Sequence, residues 1–479
     1  MLLLTFVVPA VAVIGIVAAG SFPNLREGVT IVASLVLIYL VSSLYGLVKG
    51  GAAISVAGPE LFPGLSLSFA IEPLGMLFSL VAGYLWLVTT IYAIGYMRGH
   101  HEQNQTRFYA FFAVAISSVM GLAYAANLFT LFIFYEILTL STYPLVTHAG
   151  TEQAKQGGRV YLGVLLTTSI LFLLLAIIGT WHTTGTLTFA PGGIFPPQTP
   201  HLASGTLLVL FIFGIGKAAI MPFHRWLPAA MVAPTPVSAL LHAVAVVKAG
   251  VFTVMKVCVY IFGLDLLKLL PTTGVMLYLA AATVILASLV AMRQDNLKAR
   301  LAYSTVSQLG YITIGALLAT SAGVIGGSMH IATHAFGKIT LFFCAGAVMV
   351  AAHKTEISDM RGLGRQMPIT MIAFFIGSLS IIGLPPAGGT WSKWYLMIGA
   401  LDTEQWVIMA ALMLSSLLNI AYLLPIPLRA FLCTNQQTGA VAIREAPWPC
   451  LVALTITALG CVLLFFFTQP LFELASAIL

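Results

Sequence analysis

Charge is what this chain most conspicuously lacks. Asp and Glu together number 14 among 479 residues, Lys and Arg 21, and charged side chains make up only 7% of the total. Soluble domains carry about 25% charged residues, so this chain has too little polar surface to cover a water-exposed globule. Cysteine is also scarce. Its five cysteines (Cys258, Cys344, Cys433, Cys450 and Cys461) show neither CxxC nor CxxCH spacing, and most lie in apolar runs as expected of buried free thiols. A dinucleotide fingerprint, a Walker motif and a cysteine cluster are all missing, which leaves redox or ATP chemistry to other chains. Residues 2–20 are apolar but have no basic leader and no convincing cleavage site, and read as a retained first helix instead of a signal peptide.

What the chain has in abundance is apolar length. It is 60% hydrophobic with a mean hydropathy of +1.02. Segments of bilayer-spanning length fall at about 2–20, 29–49, 72–97, 107–125, 127–147, 160–181, 203–223, 235–262, 272–292, 300–320, 322–351, 370–402, 406–431 and 447–468. The expected class is therefore an all-α polytopic membrane protein with about fourteen transmembrane helices. The net charge of +7 does not point to nucleic acid, because the basic residues sit in short loops. With the N-terminus outside, fourteen of the 21 fall on the cytoplasmic side, only Lys49 and Lys268 on the other, and five within spans. That bias is a positive-inside signal, and one missed helix would scramble it. The outer loop at 182–203, rich in Thr, Gly and Pro, is expected to form a short hairpin with solvated His182 and His201.

Five lysines inside apolar spans need an explanation. A charged side chain at the helix centre costs about 2.5–3.5 kcal/mol on insertion scales, which only pairing, internal water or deprotonation offsets. Lys256, near the outer end of its span, is expected to snorkel to the interface. Lys217, Lys248 and Lys393 have no such escape. Glu136, in FIFYEILTLSTYPL, is the one acid placed deep in a span, and Glu72 is placed at a span entrance, at the interface. A buried carboxylate and a buried lysine favour each other's charged forms, so Glu136 is matched with Lys217. His330, His334 and Lys338, four apart, share one helical stripe of about 80°. Without a cysteine or acid beside them, they read as a wet, proton-passing stripe and not as a metal site. His242 is either a path residue or a satisfied core histidine.

Two apolar runs are interrupted alike. FGIGKAAIMPFHRW breaks at Pro222, and SIIGLPPAGGTWSKWYL at Pro385 and Pro386; each sets a proline break, an aromatic corner and a lysine close together. Corresponding interrupted helices in two halves of a chain point to an inverted-repeat transporter.

Together with FYEILTLSTYPL, GKAAIMPFHRWLPAAMVAPTPVSALLHA, LAYSTVSQLGYI, HIATHAFGKITLFFCAGA and GLPPAGGTWSKW, these runs give a resemblance over about residues 70–430. The chain resembles the antiporter-like subunits shared by Mrp-type cation/proton antiporters, especially their D-type member, and by respiratory complex I. The resemblance implies fourteen transmembrane helices with two inverted five-helix repeats, each holding one discontinuous helix. It divides the chain into three N-terminal helices (1–100), a first bundle (101–265), a second bundle (266–435) and a C-terminal helix (436–479). It also implies that Glu136, Lys217, Lys248 and Lys393 carry proton translocation, with His242, His330, His334 and Lys338 along the path. Some complex I subunits carry glutamate where Lys393 stands, and the short chain favours the D-like class or a shorter complex I subunit.

The function expected is that of a proton-translocating subunit of a multisubunit membrane complex, most nearly the D-like member of an Mrp-type monovalent cation/proton antiporter. The alternative host is a complex I-like NADH:quinone oxidoreductase or membrane-bound hydrogenase. A stand-alone Na⁺/H⁺ antiporter is disfavoured because one deep carboxylate is a poor supply of oxygen ligands. A haem-binding subunit would use His242 with His330 or His334. No cofactor or metal is expected. The expected partners are other membrane subunits, protons, Na⁺ or K⁺, and lipid, with no nucleic acid, in a cell membrane.

Overall fold

The computed structural model describes residues 1–479 except 53, 63 and 434–441, so the bundle boundary expected at 435/436 lies outside the described residues. The chain begins with α1 (Leu4–Ala18) and α2 (Pro23–Lys49), followed by an antiparallel hairpin of β1 (Ser55–Phe62) and β2 (Leu65–Ala70). Next come α3 (Pro73–Gly99), α4 (Gln105–Ala123), α5 (Leu128–Val146), α6 (Glu152–Thr168) and α7 (Leu174–Thr184), the last two joined by a π-turn over Ser169–Leu173. Helix α8 (His201–Gly214) stops at the first break, and the short α9 (Trp226–Ala229) resumes beyond it. A single bent span then runs through α10 (Thr235–Ala239), the π-turn Leu240–Val244, α11 (Val246–Val257) and the π-turn Cys258–Phe262. After α12 (Leu264–Leu269) come α13 (Pro271–Arg293), α14 (Leu297–Leu317) and α15 (Ser321–Ala352). Helices α16 (Pro368–Ile382) and α17 (Gly389–Asp402) flank the second break. The chain closes with α18 (Trp406–Leu423), α19 (Pro425–Leu432), α20 (Trp448–Phe466) and α21 (Gln469–Ser476).

Ten of these helical units are long and apolar enough to cross a membrane. With α1, the broken α8 unit, the 21-residue α14 and the broken α16–α17 unit, the described chain makes the fourteen spans that hydropathy implies. Helix starts follow local chemistry. Proline stands in the first turn of α2, α3, α13, α16 and α20, where its missing N–H costs nothing. Asn127, Thr151, Asn296 and Thr320 cap α5, α6, α14 and α15 by each accepting from the backbone N–H three residues on.

Three expectations need correcting. The hairpin lies at Ser55–Ala70 and not at 182–203, where only a single bridge joins Thr188 to Asn127. Val56, Ala57, Leu67 and Phe69 supply the β-branched and apolar residues a strand needs, while in 182–203 Gly185, Gly192 and Gly193 take positive φ and turn the backbone out of any extended run. Second, Arg26 is not a loop residue: α2 starts at Pro23, and Arg26 and Glu27 are buried in its first turns. Third, Glu136 is not the only acid drawn into the helices. Glu27 lies 3.5 Å from Arg26 and accepts two hydrogen bonds from Arg98, of 3.1 and 2.5 Å.

Large apolar side chains such as Ile14, Val32, Tyr39, Leu202, Leu417 and Leu463 face outward at more than half exposure, as a lipid-facing surface requires. The interior belongs to α11, α14 and α15, and the Thr235–Phe262 span is buried along its length. Close approach at glycine makes this possible. A Cβ on Gly250 of α11 would sit 2.3 Å from the carbonyl carbon of Lys217, and one on Gly389 would sit 1.8 Å from the Ser380 carbonyl oxygen. Each glycine thus lets a helix lie directly against a break.

Gly250→Ala should therefore destabilise the assembled protein by roughly 1–3 kcal/mol, the usual cost of overpacking, read as a lower thermal midpoint in detergent. Gly163→Ala, whose Cβ would meet nothing within 4 Å, is the control expected to be neutral.

Candidate functional site

The first break holds Lys217. Helix α8 ends at Gly214, a single 3₁₀ turn spans Gly216–Ala218, and Ala219 adopts a left-handed conformation at φ +54°. A non-glycine residue held there stores strain, and it directly follows the residues around Lys217. The Lys217 ammonium donates to the Tyr135 carbonyl oxygen (2.7 Å) and the Thr139 hydroxyl (2.6 Å), with the Tyr135 ring centroid 3.1 Å away. Trp226 Nε1 donates to the Gly216 carbonyl (2.9 Å), and the Met221 amide to Thr283 (3.2 Å), which fixes the loop after the break.

Glu136 lies beside this cradle on α5 but does not hold Lys217. Both its carboxylate oxygens are buried without a hydrogen-bond partner. The expected pair is therefore adjacent in the fold and parted in this structure. The lysine is satisfied by neutral oxygens one residue before and three residues after Glu136 on the same helix.

The central residues do converge. Lys248 of α11 lies 2.6 Å from His334 Nδ1 on α15. One turn along α15, His330 has its ring centroid 5.8 Å from that of His334. His330 in turn engages Ser392 through Nδ1 (2.9 Å) and Gln308 through Nε2 (3.1 Å). Ser392 adjoins Lys393. Lys338 donates to Ser304 (2.6 Å) and to the Leu301 carbonyl (3.3 Å). His242, within the π-turn that bends its span, pairs with Thr305 (3.0 Å) and packs on Phe342.

The second break mirrors the first in its chemistry. Helix α16 ends at Ile382, Gly383 turns the chain at φ +89°, and Pro385 and Pro386 separate it from α17. The Lys393 ammonium donates to the Ile382 carbonyl (3.0 Å) and to Ser416 (3.0 Å), 4.5 Å from the Tyr311 ring centroid. It thus caps the carbonyl end of a half-helix, where the helix dipole favours a cation. A cavity of about 300 Å³ adjoins it, lined in part by Trp394, Leu412, Ser416 and Leu417.

Lys256 does not snorkel. Its side chain is fully buried, its ammonium 3.0 Å from Glu72 and 2.6 Å from the Ala125 carbonyl oxygen that accepts from it, with the Phe189 ring centroid 4.3 Å away. Glu72 is thus an ion-pair partner as well as a residue at a helix entrance. Sequence reasoning misses the pairing because the two are 184 positions apart (72 against 256) and only the fold joins them.

Sequence reasoning also passes over the neutral partners: Tyr135, Thr139, Ser304, Thr305, Gln308, Tyr311, Ser392 and Ser416. A signal is present. Tyr135 and Thr139 are four apart, and LAYSTVSQLGYI sets Ser304, Gln308 and Tyr311 at spacings of four and three, one face of a helix.

A membrane bundle with two broken helices, each holding a buried lysine, and a lysine–histidine series between them defines the ion-translocating class of membrane subunits. Residues 125–419 match the family model described as NADH:quinone oxidoreductase/Mrp antiporter, TM, and residues 64–109 that described as NADH-Ubiquinone oxidoreductase (complex I), chain 5 N-terminus. The chain belongs to this family and is an antiporter-like membrane subunit of the Mrp and complex I type. It is 34% identical over 424 residues to NADH-quinone oxidoreductase subunit N of Desulforudis audaxviator, covering 85% of this chain and 84% of that one. It is also 34% identical over 346 residues to NAD(P)H-quinone oxidoreductase chain 5 of Picosynechococcus, covering 69% of this chain but spanning only 50% of that protein. Two solved structures share the fold: a chain of the Mrp complex from Dietzia sp. (TM-score 0.88, 23% identity, 100% of this chain and 96% of that one) and a chain of the membrane-bound sulfane sulfur reductase, an archaeal respiratory membrane complex (TM-score 0.88, 23% identity, 99% and 96%).

Removing one partner of a buried pair strands the other charge, whereas replacing both is far less costly. Lys256→Leu is therefore expected to lower stability by about 3–5 kcal/mol and to be partly rescued by adding Glu72→Leu. Thermal unfolding of the wild type and the two purified variants checks this, and a double variant as unstable as the single would refute the pairing.

Proposed function

We propose that this chain moves protons across a cell membrane as one subunit of a multisubunit complex, through the buried line Lys217, Lys248, His334, His330 and Lys393. The observation that carries this reading is the run of contacts from Lys248 to His334 and from His330 to Ser392, beside Lys393, which ties the span after the first break to the second break. Histidine can accept and return a proton near neutral pH. A lysine held by a carbonyl and a hydroxyl, with no counter-ion, is poised to release one when its surroundings change. Glu136 is the switch: its approach to Lys217 would hold the proton, and its separation would release it toward Lys248. His242 and Lys338 flank that route.

Two bundles, 101–265 and 266–435, would then work as paired halves around their broken helices, with the N-terminus outside and the arginine-rich end in the cytoplasm. The Mrp-type antiporter, with this chain in its D-like position, is the host we favour, supported by the lysine at 393. The match to subunit N of an NADH-quinone oxidoreductase supports the second host, a complex I-like oxidoreductase, and co-purifying iron–sulfur subunits would select it. Na⁺ or K⁺, if exchanged, would be bound with a partner chain's help.

Lys217→Ala and Glu136→Ala should each abolish pH-gradient formation in vesicles containing the assembled complex. Near-normal transport in both variants would sink the reading.

A further inference from the structure

A buried line of lysines and histidines needs a route to water, and the polar face of LAYSTVSQLGYI in α14 runs toward one. At the arginine-rich end of the bundle lies a cavity of about 450 Å³ lined by Tyr96, His100, Glu102, Asn296, Lys298 and Lys354. Glu102 is its acidic centre, 3.1 Å from His100 Nδ1 and 4.0 Å from His148 Nε2. The His148 side chain is only 2% exposed and neither ring nitrogen has a hydrogen-bond partner. Burial holds the His148 imidazole below its ordinary range while Glu102 pulls it back the other way. The charged and titratable groups facing this cluster are Tyr96 and His100 from the end of α3, Arg107 from α4, Lys298 from α14 and Lys354 from the segment after α15.

Lys298, in the first turn of α14, donates to the Ala233 carbonyl (2.5 Å) just before α10. Beyond the buried Leu301 and Ala302, α14 presents polar side chains from Ser304 to Tyr311. Thr305 is seven residues on from Lys298, two turns or about 10.5 Å, and is the partner of His242. Ser304 holds Lys338, Gln308 holds His330, and Tyr311 lies under Lys393. From Ser304 to Tyr311 successive groups are about one turn, or ~5.4 Å, apart, a gap that one bridging water closes, whereas the two turns from Lys298 to Thr305 take a chain of waters.

We propose that the Glu102–Lys298 cavity is the mouth through which protons pass between the arginine-rich face and the buried lysines, and that the polar stripe of α14 is their conduit. This rests on the proton-translocating reading of the central line. Glu102 with its two histidines collects the proton at the surface, Lys298 accepts and hands it on, and water ordered by Thr305 and Gln308 delivers it to His242 and His330. No bond other than those to the moving proton is made or broken.

The test is the initial rate of pH-gradient formation by the assembled complex in vesicles, measured across pH for Lys298→Arg and Glu102→Gln, with Lys217→Ala as reference. Arginine keeps the positive charge and a donor for the Ala233 carbonyl but does not release its proton, so Lys298→Arg should fall at least tenfold in rate. Glu102→Gln removes the negative charge that raises proton affinity at the mouth, so its profile should move to lower pH. Co-purification of partner chains reports assembly. A Lys298→Arg rate within twofold of wild type, with an unshifted Glu102→Gln profile, overturns the inference; if Lys217→Ala is inactive in the same vesicles, proton translocation through the central line stands without it.

Discussion

Five lysines buried in a membrane bundle with hardly a carboxylate to meet them is the constraint on which this structure depends. Among the described residues only Lys256 of these five has an acid within ion-pair distance. The others are held by neutral oxygens or a histidine: Lys217 by the Tyr135 carbonyl and Thr139, Lys338 by Ser304 and the Leu301 carbonyl, Lys393 by the Ile382 carbonyl and Ser416, Lys248 by His334. A buried donor left unmatched costs more than its bond would contribute, so backbone carbonyls must be brought to the ammonium groups. At the second break the helix end does this directly, since Ile382 closes α16 and its carbonyl is free of any helical partner.

That requirement explains several features together. The breaks put lysines beside helix ends. Gly250 lets α11 lie against the first break, and Gly389 lets α17 start against the end of α16, at spacings a side chain would forbid. The π-turn at Leu240–Val244 bends the central span and places His242 against Thr305 of α14. The arrangement is sparing of fixed charge, which suits the proton relay proposed for it: a lysine locked to a carboxylate would hold its proton, whereas one on neutral oxygens responds to its neighbours. Lys256 and Glu72, fixed to one another, behave as an anchor between the start of α3 and the end of the central span.

Much of this is legible in the sequence. Hydropathy places fourteen spans because a bilayer's thickness leaves few choices of length, and the prolines at 222, 385 and 386 flag the two broken stretches because proline weakens a helix, although α8 already stops at Gly214. The family motifs are legible for the same reason, being contiguous. Relations across the chain are not. Glu72 with Lys256, His334 with Lys248, and Gln308 with His330 are joined only by packing. The hairpin at Ser55–Ala70 is hidden in a short interval between spans that is interrupted by Gly58, Pro59 and Gly64. Charge alone matches Glu136 with Lys217, and charge does not specify whether two groups touch or stand one residue apart.

The central claim is that the two broken helices work as one line, joined at Lys248 and His334. The most direct measurement is pH-gradient formation by vesicles containing the assembled complex with His334→Gln, which removes the titrating ring while leaving Lys217, Glu136 and Lys393 in place. The account predicts transport at least tenfold below wild type with normal assembly. Transport at the wild-type rate would contradict it.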